Sequence, residues 1–484
     1  MNLPDLNSSS SGAPVSRRQM LRQFANGFGM LGLAGLLRES PFSRAFAAEA
    51  SAANPLSVKP PQFPAKAKRV IFLFMSGGPS HVDLFDPKPK LAEMQGQPLP
   101  FAKPKLERTK TGNLLPSPWS FARHGESGTA VSELLPHIAG CVDDLCLIRS
   151  MVADNINHNG ACLQMNTGEQ TFSRPSLGSW LLYGLGSENQ NLPGFVVLSP
   201  AQPAQGAPLW SSSFLPASYQ GTLVNNLKEP IANIGNARFT AAQQRSELDT
   251  LKELNALHRA TREEDSRLNA RIEAFELAFR MQMEAPEAFD IERESPETKK
   301  LYGIGEPVTE IFGKQCLMAR RLVERGVRMV QVYHTSTSKR SSCQLWDQHG
   351  SLREELANNC AATDQPVAAL LKDLKARGLL EDTLVIWGGE FGRTPTAEGN
   401  NGREHHPFGF SMWMAGGGVK GGLAHGATDD FGWHATQDKV HVHDLHATIL
   451  HLMGFNHERL TYRYAGRDYR LTDVHGRVVS EILA

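Results

Sequence analysis

Thr383-Leu-Val-Ile-Trp-Gly-Gly-Glu-Phe-Gly-Arg-Thr-Pro395 begins as an unbroken apolar run and ends on Glu390 in a glycine-rich turn. A run that is apolar throughout, rather than alternating, suits a strand buried on both faces of a parallel sheet. Gly402-Arg-Glu-His-His-Pro407 follows shortly and adds two histidines and another carboxylate. Ligands of open α/β sheets sit beyond the C-terminal ends of strands. Glu390 facing His405 and His406 therefore suits a metal or an acid/base site.

The chain outside this stretch repeats the pattern. Arg69–Met75, Leu145–Val152, Gly194–Ser199 and Val327–Tyr333 read as further strands. Leu317–Gly326 reads as an amphipathic helix closed by Gly326, and Pro366–Arg377 as another closed by Gly378. This alternation predicts an α/β fold with a mostly parallel central sheet and helices on both faces. Residues 240–282 are charged and helical in period, with Leu248, Leu251, Leu254, Leu257, Leu268, Ile272, Phe275 and Phe279 as the stripe. They predict a helical insertion at about 240–300, acting as a cap or side element of a single domain over 68–484.

Among 484 residues, 50 basic and 50 acidic side chains balance to a net charge of +0. That excludes a dedicated nucleic-acid binder. Ser16-Arg17-Arg18-Gln19-Met20-Leu21-Arg22, the apolar run Phe24–Leu37 and Ala45-Phe-Ala47 form, in order, a twin-arginine export signal over 1–47. The run is too short to span a membrane, and no other run is long enough. The signal predicts passage in folded form through the twin-arginine machinery to the periplasm or the cell exterior. Residues 48–67 read as a linker. The six cysteines form no C-x-x-C and read as buried free thiols.

Histidine is concentrated late, with twelve of the 17 at or after His334. Four groups follow predicted strands: Ser80-His81-Val82-Asp83, His158-Asn159-Gly160, Trp346-Asp347-Gln348-His349-Gly350, and Glu390 with His405 and His406. A parallel sheet would bring all four to one edge. Oxygen and nitrogen donors from separate strand ends suit a divalent metal. His441, His443, His446 and His451 recur at near-helical spacing and read as a helix carrying surface histidines. There is no G-x-S-x-G elbow, no H-E-x-x-H and no P-loop, and Gly416-Gly-Gly-Val-Lys-Gly421 reads as a turn.

Gly77-Gly-Pro-Ser-His-Val-Asp-Leu-Phe-Asp-Pro-Lys88, Ala319-Arg-Arg-Leu-Val-Glu-Arg-Gly-Val327, Trp346-Asp347-x-His349, Gly389-Glu-Phe-Gly-Arg-Thr-Pro395, Gly402-Arg-Glu-His405 and Ala415-Gly-Gly-Gly418 occur in this order. From Arg69 to the C-terminus the chain resembles the bacterial exported domain-of-unknown-function family fifteen-oh-one, a distant relative of the alkaline phosphatase and sulfatase superfamily. The resemblance implies an alkaline-phosphatase-like fold. It implies Asp347 and His349 as the middle metal ligands, Glu390 as the late carboxylate, and His405 or His406 as the last histidine. His81 or Asp83 would replace the first metal-binding Asp, whose matching position lies near Ser76. His158 falls at the nucleophile's place, as base or nucleophile, before a Met165-Asn-Thr-Gly168 turn like the superfamily's.

The formylglycine signature is missing; Cys316-Leu-Met-Ala-Arg320 comes nearest. The function implied is therefore a metal-activated water attacking a sulfate or phosphate ester, of a small molecule or a polysaccharide, with Arg393 or Arg403 holding the anion. The metal would be Zn, Mn, Mg or Ca. Two alternatives stay open: a secreted binding or scaffold protein with a degenerate site, and a lyase or phosphotransferase on the same ligands.

Overall fold

The computed structural model describes residues 54–102, 112–231, 234, 238–259, 266–335 and 345–484. The export signal, residues 48–53 and Cys343 lie outside them, as do the side chains of Leu257, Leu268 and Ile272. The strands of the central sheet and of the hairpin beside it are β1 (Arg69–Phe74), β2 (Leu145–Val152), β3 (Phe195–Leu198), β4 (Thr222–Val224), β5 (Met329–Tyr333), β6 (Thr383–Gly388), β7 (Gly392–Glu398), β8 (Gly402–His406), β9 (Phe410–Ala415), β10 (Leu423–His425) and β11 (Val440–His441). The longer helices are α1 (His158–Thr167), α2 (Leu177–Leu185), α3 (Ala241–Arg259), α4 (Ser266–Phe289), α5 (Glu310–Glu324), α6 (Leu352–Ala376) and α7 (Val442–Leu452).

The chain divides into two units, one of residues 55–235 and 266–484, the other of residues 1–54 and 236–265. α3 belongs to the second and α4 to the first, so the expected insertion is shared between them. Of α3, residues 241–255 bury no side chain. None of the helices among the described residues is long and apolar enough to cross a membrane.

The larger unit is built on a nine-stranded sheet, β10-β2-β9-β6-β1-β5-β3-β4, with β11 also on β2. Every pairing is parallel except those of β9, which runs antiparallel between β2 and β6. The period of two along β1 builds both cores. Ile71, Leu73 and Met75 pack with α4, α5 and α6 on one face. Val70, Phe72 and Phe74 pack with α1, α2 and α7 on the other.

Two expectations change. Residues 55–67 are not a free tether: Lys59, Gln62 and Lys66 N–H groups donate to Leu185 O, Gly454 O and Leu452 O at 2.9, 3.0 and 2.8 Å. Their partners include the last carbonyls of α2 and α7, which a helix cannot satisfy itself. The helix expected from Pro366 begins instead at Leu352. Proline costs it one backbone bond, but Leu352, Leu356, Cys360, Val367, Leu370, Leu371 and Leu374 are all buried, and that stripe outweighs the loss.

Candidate metal centre

The C-terminal ends of β1, β2, β5 and β6 share one edge, and β8 enters there before β9 turns back. Beyond β1 the chain turns at Gly77, with φ +116°, where a Cβ would stand 2.5 Å from Asp347 N. Only glycine fits that conformation and that approach. The turn receives Trp346, whose N–H donates to Ser76 O at 2.9 Å and whose indole N–H donates to His334 Nδ1 at 2.9 Å. Trp346 is fully buried, and this fixes the next residue, Asp347. His158 is the first residue of α1, after the N-cap Asn157. His405 stands on β8, opposite Arg393 of β7, beyond a register shift after Arg403.

These segments bring His158, Asp347, His349 and His405 together, with one ligand atom from each within 4.8 Å of the others. Around Asp347 Oδ1 lie His349 Nε2 at 2.8 Å, His158 Nε2 at 3.1 Å and His405 Nε2 at 3.2 Å. His349 Nε2 and His405 Nε2 are 3.0 Å apart. The far nitrogen of each ring faces an oxygen: His158 Nδ1 meets Glu390 Oε1 at 2.7 Å, His405 Nδ1 meets Ile156 O at 2.7 Å, and His349 Nδ1 meets Glu398 Oε2.

A carboxylate or a carbonyl oxygen accepts, so each Nδ1 carries a hydrogen. In the neutral ring each Nε2 then carries its lone pair. Three lone pairs aimed at one carboxylate oxygen repel it unless protons or a cation lie between. This is how histidine ligands are held, with the outer N–H bonded to carboxylate or carbonyl. The spacing also fits: a tetrahedron with arms of about 2.1 Å has edges of about 3.4 Å. Three imidazoles and one carboxylate form a donor set that could hold a metal ion, with His158, Asp347, His349 and His405 as its ligands.

Burial disfavours the His158 imidazolium, but Asp347 and Glu390 outweigh it and raise its pKa. The bond to Asp347 raises that of His349. Burial alone would raise the Asp347 carboxyl; the three rings and Arg393 instead hold it far below the ordinary range. Burial, with the charges of Arg393 and His158, lowers His405.

The structure does not bring the other expected residues to this centre. His81 Nε2–H donates to Gly432 O at 2.8 Å, and His406 Nε2–H to Trp433 O at 2.6 Å. Asp83 forms a two-pronged ion pair with Arg403, at 2.7 and 3.0 Å; both side chains have no exposed surface. Arg403 is therefore a buried structural partner and not an open anion grip. Arg393 touches Asp347 at 2.6 Å, yet it too is fully buried. Glu390 lies one shell out, accepting Gly77 N–H at 2.9 and 3.2 Å while orienting His158. Sequence reasoning missed Glu398 and the Ile156 carbonyl. Glu398 closes β7 with no local motif, and a carbonyl leaves no trace in a sequence.

Asp154, His441 and His443 also gather within ligand range. The same test fails there. His441 Nδ1 accepts His443 N–H at 3.2 Å as the cap of α7. Its hydrogen is thus on Nε2, donating to Asp154 Oδ2 at 3.1 Å.

Residues 67–483 match the family described as "Protein of unknown function (DUF1501)". The chain belongs to the DUF1501 family. No curated protein matches the chain. Three solved structures similar to this DUF1501 chain show what surrounds it. Ps i-CgsB in complex with k-i-k-neocarrahexaose is 10% identical, with a TM-score of 0.37 over 80% of this chain and 72% of that one. The PsFucS1 sulfatase from Pseudoalteromonas sp. is 13% identical, with a TM-score of 0.34 over 81% and 68%. Alkaline phosphatase from the Antarctic bacterium TAB5 is 11% identical, with a TM-score of 0.29 over 74% and 94%. Likenesses this distant carry no inference about chemistry.

Proposed function

We propose that this DUF1501 protein is an exported metal-dependent hydrolase of sulfate or phosphate esters, from small molecules or polysaccharides. The observation that supports it is the convergence of three imidazole Nε2 atoms on Asp347 Oδ1, with every Nδ1 hydrogen already committed. Of the four ions expected, three imidazoles favour Zn over Mn, Mg and Ca, which prefer oxygen-rich sites. Such an ion, held by His158, Asp347, His349 and His405, would supply a water of pKa about 7 and a Lewis acid for an ester oxygen.

The chain's own residues would do the rest. Glu390 and Glu398 orient the His158 and His349 rings and keep their hydrogens on Nδ1. Phe391, itself fully buried, stacks on His405 with ring centres 4.6 Å apart. His158, expected as base or nucleophile, commits Nδ1 to Glu390 and leaves Nε2 buried without a hydrogen bond, 3.1 Å from Asp347 Oδ1, so this reading makes it a ligand. Cleavage of the signal at Ala45-Phe-Ala47 and export of the loaded, folded protein belong to the same reading.

The burial of Arg393 and Arg403 favours the second reading, a secreted binding or scaffold protein with a degenerate site, because neither guanidinium is open to an anion. Elemental analysis of protein purified after export, beside the Asp347→Ala, Glu390→Ala double variant, tests the centre. One transition ion per chain, lost in the variant, is expected. A screen of the loaded protein on aryl sulfates and aryl phosphates then separates the readings. Turnover supports the hydrolase, whereas no metal in the wild type, or metal without turnover, favours the binding protein.

A further inference from the structure

We infer that Arg393 is a positioning residue for the metal centre: it sets where the Asp347 carboxylate stands. The inference rests on the metal reading above and replaces the expectation that Arg393 grips an anion.

The guanidinium has no exposed surface. Three of its contacts are to backbone carbonyls: Nε–H to Gly78 O at 3.1 Å, Nη1–H to Arg403 O at 3.1 Å, and Nη2–H to Gly77 O. Those carbonyls belong to the turn after β1 and to β8, which the sheet and the hairpin hold in place. Because guanidinium is a planar fork, three fixed acceptors define its plane and position. The remaining bond, Nη2–H to Asp347 Oδ1 at 2.6 Å, is the single one made to a side chain. The direction of control follows: backbone places Arg393, and Arg393 places Asp347.

The oxygen it touches is the one on which His158, His349 and His405 converge. Gly77 joins both halves of the device. Its carbonyl holds Arg393, and its N–H holds the Glu390 carboxylate that orients His158. One turn therefore registers an oxygen ligand and a nitrogen ligand together. Lysine would carry the same charge but not the fork, and it could not reach the three carbonyls and the carboxylate at once.

The test is a double-variant cycle in the full mature chain, with Co2+ alone as the probe: wild type, Arg393→Gln, Asp347→Asn and the two combined. Co2+ affinity and the visible d–d spectrum are read, with thermal midpoints alongside. Arg393→Gln is expected to weaken Co2+ about tenfold or more and to shift the spectrum toward that of Asp347→Asn. The combined variant should then bind no more weakly than Asp347→Asn alone. Arg393→Lys should fall between wild type and Arg393→Gln.

Independent losses that multiply in the combined variant would overturn the inference. So would a lowered thermal midpoint with an unchanged spectrum, or full recovery in Arg393→Lys. If the wild type takes up no Co2+, the metal reading fails by itself. The coupling of Arg393 to Asp347 is then read from the stabilities of the same four proteins, where additivity would overturn it.

Discussion

Glu390 Oε1 lies 2.7 Å from His158 Nδ1, and the same carboxylate takes the Gly77 N–H. The strand-end acid thus acts on the centre through a ring and not directly. Glu390→Gln keeps an oxygen for one of these donors and removes the charge. Metal affinity should drop between about 10- and 100-fold, and Glu390→Ala should drop it further. Competition with a chelator of known affinity measures both. An unchanged affinity in Glu390→Ala would remove Glu390 from the centre.

Metal binding should release protons. In the metal-free protein the pKa values of His158 and His349 are raised, so both rings hold protons through pH values where free histidine has begun to lose them. An ion must displace those protons. Affinity should rise with pH until both raised values are passed and then level. Calorimetric titration of Zn2+ in buffers of different ionisation enthalpy counts the protons, and a count of zero at pH 7 would contradict the geometry.

Acid should destabilise the fold through other histidines. Burial pushes His334 and His446 down to about 3. A depressed folded value means the unfolded chain binds more protons once pH falls below about 6.5. The stability these rings supply is complete above that value and is lost as pH falls toward 3, by up to about 1.4 kcal/mol per pH unit for each ring. His446→Gln should make the decline between pH 6 and 4 shallower by one proton, as read from urea midpoints. An unaltered slope would mean that His446 protonates normally in the fold.

Asp83 and Arg403 should matter for folding and not for metal. Both are fully buried and paired. Asp83→Asn strands a buried guanidinium, a loss of about 3–5 kcal/mol. The folded fraction should still carry wild-type metal per chain, as should His81→Gln and His406→Gln. Metal lost from well-folded Asp83→Asn protein would return Asp83 to the centre.

The strands were legible because β1, β3 and β6 are mostly apolar runs, and β2 and β5 interrupt theirs only at Arg149-Ser150 and Gln331. Asp347, His349, Glu390 and His405 stood out because they follow predicted strands; the structure gathers Asp347, His349 and His405 with His158 and sets Glu390 behind the His158 ring. The antiparallel course of β9 was not: Phe410–Ala415 is apolar like the others, and an apolar run carries no direction. His405 and His406 could not be told apart, because the register shift between Arg403 and His405 resets the alternation along β8. Asp83 and Arg403 looked like site residues because a buried pair and a ligand set draw on the same side chains. Only their partners separate them.

β9 is the sole link among the described strands between two smaller sheets. β2, β10 and β11 lie on one side of it, and β6, β1, β5, β3 and β4 on the other. Trp413 of β9 stacks on Trp387 of β6 across that seam, with rings 6.0 Å apart and 2° from parallel. The strand enters directly from the hairpin that carries His405. In the chain β10 and β11 follow β9, so without β9 and what comes after it β2 has no strand of the central sheet to pair with; His158 follows β2, whereas Asp347 sits beside the turn after β1. A chain cut short before β9 is therefore expected to keep β6-β1-β5-β3-β4 but to leave β2, and the His158 that follows it, unattached to the side that carries Asp347.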